Sequence, residues 1–126
     1  MKRAKKAKTK SVYQQYDIWW ANLPELPDSH VMYGMRPVLI ASNNVVNTHN
    51  EVMTVVPLTT RIEKRQMPTH VLIYGVTGLR QASRALCEQP MSLDKSELVE
   101  KIGSVTDWYQ RISIQHALAV QLGLGA

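Results

Sequence analysis

Two short apolar runs in this chain each carry one reactive group at an end. Arg36 opens the run Arg36–Ser42 (RPVLIAS), and Thr59 closes the run Glu51–Thr59 (EVMTVVPLT). A charge at the rim of an apolar strand points either to solvent or into a site, and threonine is also simply a good strand former. Around these two lie further polar candidates. His30 sits in a long loop. Thr60, Arg61, Lys64 and Arg65 form a basic stretch suited to phosphate contact or to solvation. Glu88 and Gln89 follow Cys87 and either face a site or occupy the polar positions of an alternating strand.

The reaction that needs no more than such a set is cleavage of RNA, because the substrate brings its own nucleophile, the ribose 2′-OH. A protein has to take that proton, stabilise charge on the phosphoryl oxygens, and let the 5′-oxygen leave protonated. An arginine, a nearby hydroxyl and one further polar group meet those demands. Other chemistries lack their signatures. His30, His49, His70 and His116 are widely spaced, and neither HExxH nor CxxC occurs, so no metal site is expected. Glycine-rich phosphate loops and a serine-nucleophile elbow are absent from the sequence as well, and no cofactor is expected.

The elements that must hold these residues read as mainly β. Tyr16–Leu23 is rich in strand formers and ends at Pro24. Trp19 and Trp20 within it read as core and interface material rather than as a platform for stacking bases. Residues 24–35 read as a long loop, with two prolines and a glycine. Strands follow at 36–42 and 51–59, joined by a loop at 43–50 that holds four asparagines. Thr69–Tyr74 alternates and pairs across a Gly75–Gly78 turn with Ser83–Gln89. The helix expected is at the C-terminus: Thr106 as N-cap, Trp108, Ile112, Ala119 and Leu122 at helical spacing, Gly123 at the stop. Several short strands closed by one helix suggest a small, partly closed barrel.

With 126 residues the chain has room for one domain. Its net charge of +5 resides in the first ten residues, where Lys2, Arg3, Lys5, Lys6, Lys8 and Lys10 meet no acid. Taking those six from the fifteen basic residues leaves nine against ten acidic, so the remainder is at about −1. Residues 1–14 read as a basic flexible tail and 15–126 as the domain. Such a tail is either a solvated arm or an aid to RNA association through counterion release. A single cysteine, Cys87, excludes an internal disulfide and fits a reducing cytoplasm. No apolar run approaches the roughly 20 residues that span a bilayer.

Six segments in order resemble the MazF/PemK family of toxin endoribonucleases: DIWWANL at 17–23, MRPVLIASNN at 35–44, TVVPLTTRI at 54–62, MPTHVLI at 67–73, GLRQASRALCEQPMSLDKSEL at 78–98 and EKIGSV at 100–105. The resemblance implies an SH3-like barrel of the type shared by CcdB and MazF toxins, a homodimer, and a MazE-like antitoxin with a disordered C-terminal segment. It also implies metal-independent cutting of single-stranded RNA to 2′,3′-cyclic phosphate and 5′-hydroxyl ends. Arg36 then occupies the family's catalytic position, Thr59 assists it, and His30 matches a histidine used by some PemK-type members. Departures occur at Val31 and Met32, where many relatives carry Glu-Gln, at Leu86, where PemK-type members carry arginine, and at Met91. The first-loop departures at Val31 and Met32 motivate the alternative of a catalytically degenerate homologue that only binds antitoxin and nucleic acid. A gyrase-poisoning toxin of the same fold is the third reading.

Overall fold

A computed structural model describes residues 11–62 and 65–125. Seven strands and two helices follow in the order β1 (Asp17–Leu23), β2 (Gly34–Ile40), α1 (Asn44–His49), β3 (Val52–Thr59), β4 (His70–Ile73), β5 (Ser83–Leu86), β6 (Met91–Asp94), β7 (Leu98–Ser104) and α2 (Trp108–Leu122), with a 3-10 turn at Lys95–Glu97. The strands form one antiparallel sheet in the order β4-β5-β3-β2-β1-β7, and β6 pairs separately with β3.

The alternating pattern of β1, β2 and β3 explains why the sheet needs a core on each face. Ile18 pairs with Leu39, and Leu39 with Val56. All three are fully buried in the core that also takes Ile114 and Ala117 of α2. One residue along, Trp19 pairs with Val38 and Ile40 with Val55, and these fill a second core with Met53, Leu93 and Leu98. Fully burying a side chain of this size contributes about 1.5–3 kcal/mol, so a one-residue register slip, which would exchange the two faces, is strongly opposed.

β3 is the strand on which the architecture turns. Its first half, Val52–Val55, pairs with β6, and its last residues, Leu58 and Thr59, pair with β5. Pro57 lies between them, where the missing N–H withdraws a ladder bond. The sheet therefore remains unclosed by strand pairing, with β4 and β7 at its ends. The loop from β4 to β5 packs across that gap. A Cβ on Gly78 would collide with the Ile102 carbonyl of β7, and one on Gly103 of β7 would collide with the Thr77 carbonyl. Backbone lies on backbone there, and only glycine permits it.

Several elements differ from those read in the sequence. The asparagine-rich stretch at 43–50 is not a simple loop but the short helix α1. Asn43 caps it by accepting from Val46 N at 3.0 Å, and the buried Asn47 side chain bonds Ser42 through both its oxygen and its nitrogen. At α2 the N-cap is Asp107, accepting from Gln110 N at 3.0 Å, and not Thr106. The buried face of α2 is Gln110, Ile114 and Ala117, whereas Trp108, Ile112 and Leu122 of the expected apolar stripe are exposed. Apolar residues occur on both sides of this helix, so spacing alone picks the wrong side. β6 and β7 show the patterns buried at one position in four and one in seven, too sparse to be read as strands beforehand.

Of the expected tail, residues 1–10 lie outside the described residues. Tyr13 and Gln14 are tied to the domain: the Tyr13 ring stands 4.8 Å from Trp19, and Gln14 N donates to Asp17 Oδ2 at 3.1 Å. Among the described residues no helix is long and apolar enough to cross a membrane.

Candidate active site

The register of β2 on β3 runs through Ile40↔Val55, Leu39↔Val56 and Val38↔Pro57 and then stops. Continued by two residues it would set Arg36 opposite Thr59. Instead β3 leaves β2 at Pro57 and takes β5 as its partner, pairing Thr59 with Arg84. The two strand ends part, and a cleft of about 460 Å3 opens between them. It is lined by Arg36 and Thr59, by Arg61 and Arg65 of the following loop, and by His70, Arg84 and Glu88, with Met32, Met67 and Leu86 as its apolar walls.

Arg36, Thr59, Arg84 and Glu88 are each anchored by hydrogen bonds within the fold. Arg36 donates Nε–H to the Tyr33 carbonyl at 2.7 Å, so the side chain is tethered by one edge. Its two Nη groups make no hydrogen bond to the described residues, and they form the fork that matches a phosphate. Thr59 Oγ1 accepts from Arg61 N at 3.2 Å, which shapes the loop and keeps the hydroxyl proton available to donate. Arg84 is buried, and its Nη2 donates to the Ile62 carbonyl at 2.8 Å, bracing the same loop from beneath. Glu88 accepts from Thr69 Oγ1 at 3.1 Å and lies 3.1 Å from His70 Nε2. Among the described lining residues four arginines stand against the single carboxylate of Glu88, an excess of positive charge.

Of the residues singled out in the sequence, Arg36, Thr59, Arg61, Arg65 and Glu88 come together in this cleft. Gln89 lies beside it: its Oε1 accepts from Met32 N at 3.0 Å and so clamps the first loop to the turn after β5. His30 and Thr60 are exposed and do not line the cleft, and Lys64 lies outside the described residues. Arg84 and His70 were not singled out. An arginine inside the wholly buried run Ser83–Leu86 was the available signal for the first, because buried arginine is rare unless it is paired. The second reads as an ordinary polar position of β4 until its pairing with Leu86 of β5 brings it next to Glu88. Cys87 between these elements is fully buried; burial, and then the charge of Glu88, push its thiol up to about 12. It is a packing residue. Among the described residues no three His, Cys, Asp or Glu side chains gather as a metal site.

A small β protein with a helix behind it and an arginine-lined cleft at a parted strand pair defines a class that can hold a phosphodiester. The comparisons give that class its family. The sequence model for the PemK-like, MazF-like toxins of type II toxin–antitoxin systems matches residues 14–122, and this chain belongs to that family. It is 31% identical over 114 residues to endoribonuclease EndoA of Bacillus subtilis (strain 168), covering 90% of this chain and 97% of that one. A mycobacterial endoribonuclease solved in complex with its cognate antitoxin superimposes with a TM-score of 0.74 at 30% identity, covering 90% of this chain and 98% of the other. MazF of Deinococcus radiodurans shares the fold, with a TM-score of 0.76 at 23% identity over 91% of this chain and the whole of that one.

Proposed function

We propose that this toxin is an endoribonuclease that cuts single-stranded RNA without a metal ion, and that Arg36 and Thr59 hold the scissile phosphate. The observation that carries the reading is the end of the β2–β3 pairing at Val38↔Pro57, beside a cleft whose lining includes both Arg36 and Thr59. Relatives named endoribonucleases, one of them captured with its antitoxin, support it.

In this reading the base is Glu88, because it lines the cleft and His30 does not. Its carboxylate takes the 2′-OH proton while the 2′-oxygen forms a bond to phosphorus. The P–O5′ bond breaks, and the leaving 5′-oxygen takes up a proton from solvent, so the products are a 2′,3′-cyclic phosphate and a 5′-hydroxyl. Charge grows on the phosphoryl oxygens as the 2′-oxygen attacks, and there the Arg36 fork and the Thr59 hydroxyl act most strongly. Arg61, Arg65 and Arg84 supply the field that draws the backbone in, and the neighbouring Thr60, Lys64 and Gln89 are assigned to binding of flanking nucleotides. His30 on the first loop is assigned to the same approach path rather than to proton transfer.

Two partners complete the proposal. Trp20, with Trp108, Tyr109 and Leu122 of α2, exposes apolar surface suited to a second copy of the chain. An acidic, unstructured antitoxin segment would cover Arg36 and the loop at 60–68, competing with RNA for the same cations. The test is incubation of the purified protein with a long single-stranded RNA in EDTA, followed by end analysis. Discrete cuts ending in cyclic phosphate and 5′-hydroxyl are expected. Intact RNA would overturn the reading in favour of a toxin homologue that binds without cutting, and cuts that require a divalent ion would overturn the metal-free mechanism.

A further inference from the structure

Glu88 is the one carboxylate among the described residues that line the cleft, and both of its oxygens are already spoken for once. Thr69 Oγ1 donates to Oε1 at 3.1 Å, and His70 Nε2 lies 3.1 Å from Oε2. The other end of the imidazole settles which of its nitrogens carries the proton. His70 Nδ1 lies 3.1 Å from Met67 N, a backbone N–H that can only donate. Nδ1 is therefore the acceptor, and the neutral ring bears its proton on Nε2, pointed at the carboxylate. The turn that supplies the Met67 amide is closed by a second bond, from His70 N to the Met67 carbonyl at 2.9 Å. The imidazole itself is 9% exposed. A ring held at both nitrogens, with its plane fixed by burial, has one orientation, and it transmits that orientation to Glu88.

We propose that His70 is a positioning residue: the Met67 amide fixes its Nε2–H tautomer, and that N–H aims the Glu88 carboxylate at the 2′-OH of the bound RNA. This rests on the reading of the cleft as an RNA-cleaving site with Glu88 as its base. One oxygen–hydrogen bond from Thr69 and one nitrogen–hydrogen bond from His70 stop the carboxylate from rotating towards the arginines that share the cleft. Each oxygen keeps a lone pair with which to accept the substrate proton. The arrangement has the logic of a base oriented by a third group, here run in reverse, with the histidine as the orienting partner and the carboxylate as the base. A base displaced by about 1 Å forfeits on the order of 10²-fold in rate, which is what the pair of hydrogen bonds prevents.

Two substitutions separate the ends of the ring. His70→Gln keeps a donor near the place of Nε2 and loses the acceptor for Met67. His70→Asn keeps an acceptor near the place of Nδ1 and is too short to reach Glu88. The experiment measures single-turnover cleavage of a short RNA across pH, binding of its uncleavable 2′-deoxy analogue, and thermal unfolding, for both variants, for Glu88→Gln and for the His70→Asn/Glu88→Gln double variant. His70→Asn is expected to cut about 10²-fold more slowly with analogue binding nearly unchanged, and His70→Gln to stay within about threefold of wild type. The double variant should be no slower than Glu88→Gln alone, since a positioning residue has nothing left to position. Independently of any RNA, nitrogen NMR of the neutral His70 ring in the intact protein should show a protonated Nε2 and a bare Nδ1.

Four results would overturn the proposal: a neutral ring protonated at Nδ1, wild-type cleavage by folded His70→Asn, equal losses in the Asn and Gln variants, or losses that multiply in the double variant. A different failure would refute the underlying function instead. If the wild-type protein cuts no RNA, or Glu88→Gln cuts at the wild-type rate, the base assignment falls whatever the tautomer of His70.

Discussion

Replacing Arg36 by alanine should remove far more activity than stability. On the side of the fold, the substitution deletes one hydrogen bond at the rim of β2, from Nε to the Tyr33 carbonyl. A bond of that kind contributes about 0.5–1.5 kcal/mol, and the vacated carbonyl can turn to water. On the side of the chemistry, in the proposed mechanism, it deletes a guanidinium that would meet growing charge on the phosphoryl oxygens. Loss of one such donor typically costs about 2.7–4 kcal/mol, or 10²–10³ in rate. The two losses therefore separate: a small fall in melting temperature beside a fall in rate of about 10² or more. Arg36→Lys is a sharper probe. A single ammonium can satisfy the Tyr33 carbonyl or the phosphate but cannot lock a fork against both, so the rate should fall between wild type and alanine. Thr59→Ala removes a neutral donor and the turn bond to Arg61 N, with a loss in rate of about tenfold. The assay is single-turnover cleavage of a short single-stranded RNA at saturating enzyme, beside circular dichroism and thermal melts of each variant. Folded Arg36→Ala that cuts within threefold of wild type would refute the placement of the phosphate.

Three further expectations concern the scaffold. The Cys87 thiol, raised to about 12, should resist alkylation at pH 8 in the folded protein and react once denaturant is added; because the folded state holds this proton more tightly than the ordinary value of 9.0, its contribution to stability is present below pH 9.0 and is lost as pH rises through about 12, which chemical denaturation of wild type and Cys87→Ala can follow. Gly103→Ala should destabilise by about 1–3 kcal/mol, read by urea denaturation, because its methyl group meets the Thr77 carbonyl and Val76 Cγ1; an unchanged midpoint would mean that the loop from β4 to β5 does not press on β7. The buried Gln110 amide joins α2 to the end of β4, with Nε2 donating to the Tyr74 carbonyl at 3.1 Å and Oε1 accepting from Tyr74 N at 3.4 Å, so Gln110→Leu should cost about 1–3 kcal/mol in the same measurement.

What the sequence disclosed follows from the range over which each feature is decided. Arg36 and Thr59 lie at the ends of apolar runs, and alternation plus turn residues locate such ends within a residue or two. The cores of β1, β2 and β3 are legible for the same reason. Helix α1 escaped because its stability is lodged in two asparagine side chains, and asparagine in sequence signals a turn. The buried face of α2 escaped because Trp108 and Ile112 outweigh Ile114 and Ala117 on any hydropathy count, although the smaller pair is what fits against the sheet. Arg84 and His70 were hidden by distance: their neighbours in space, Ile62 and Glu88, are 22 and 18 residues away in the chain. The family resemblance located Arg36 and Thr59 on a site, but it did not show that β3 leaves β2 at Pro57, which is why they stand apart.

The described residues that line the cleft all fall between Met32 and Glu88, and none of them belongs to β7 or α2. In the proposed function the chain is thereby divided along its length into a part that would meet the substrate and a part, α2, that exposes apolar side chains. Substitutions on the outer face of α2 can accumulate without moving Arg36, Thr59 or Glu88. Descendants of one such toxin, kept in the same cell, can therefore diverge in the company they keep while retaining one chemistry, and the reverse drift, towards a new chemistry with the old company, has to pass through the strand junction at Pro57.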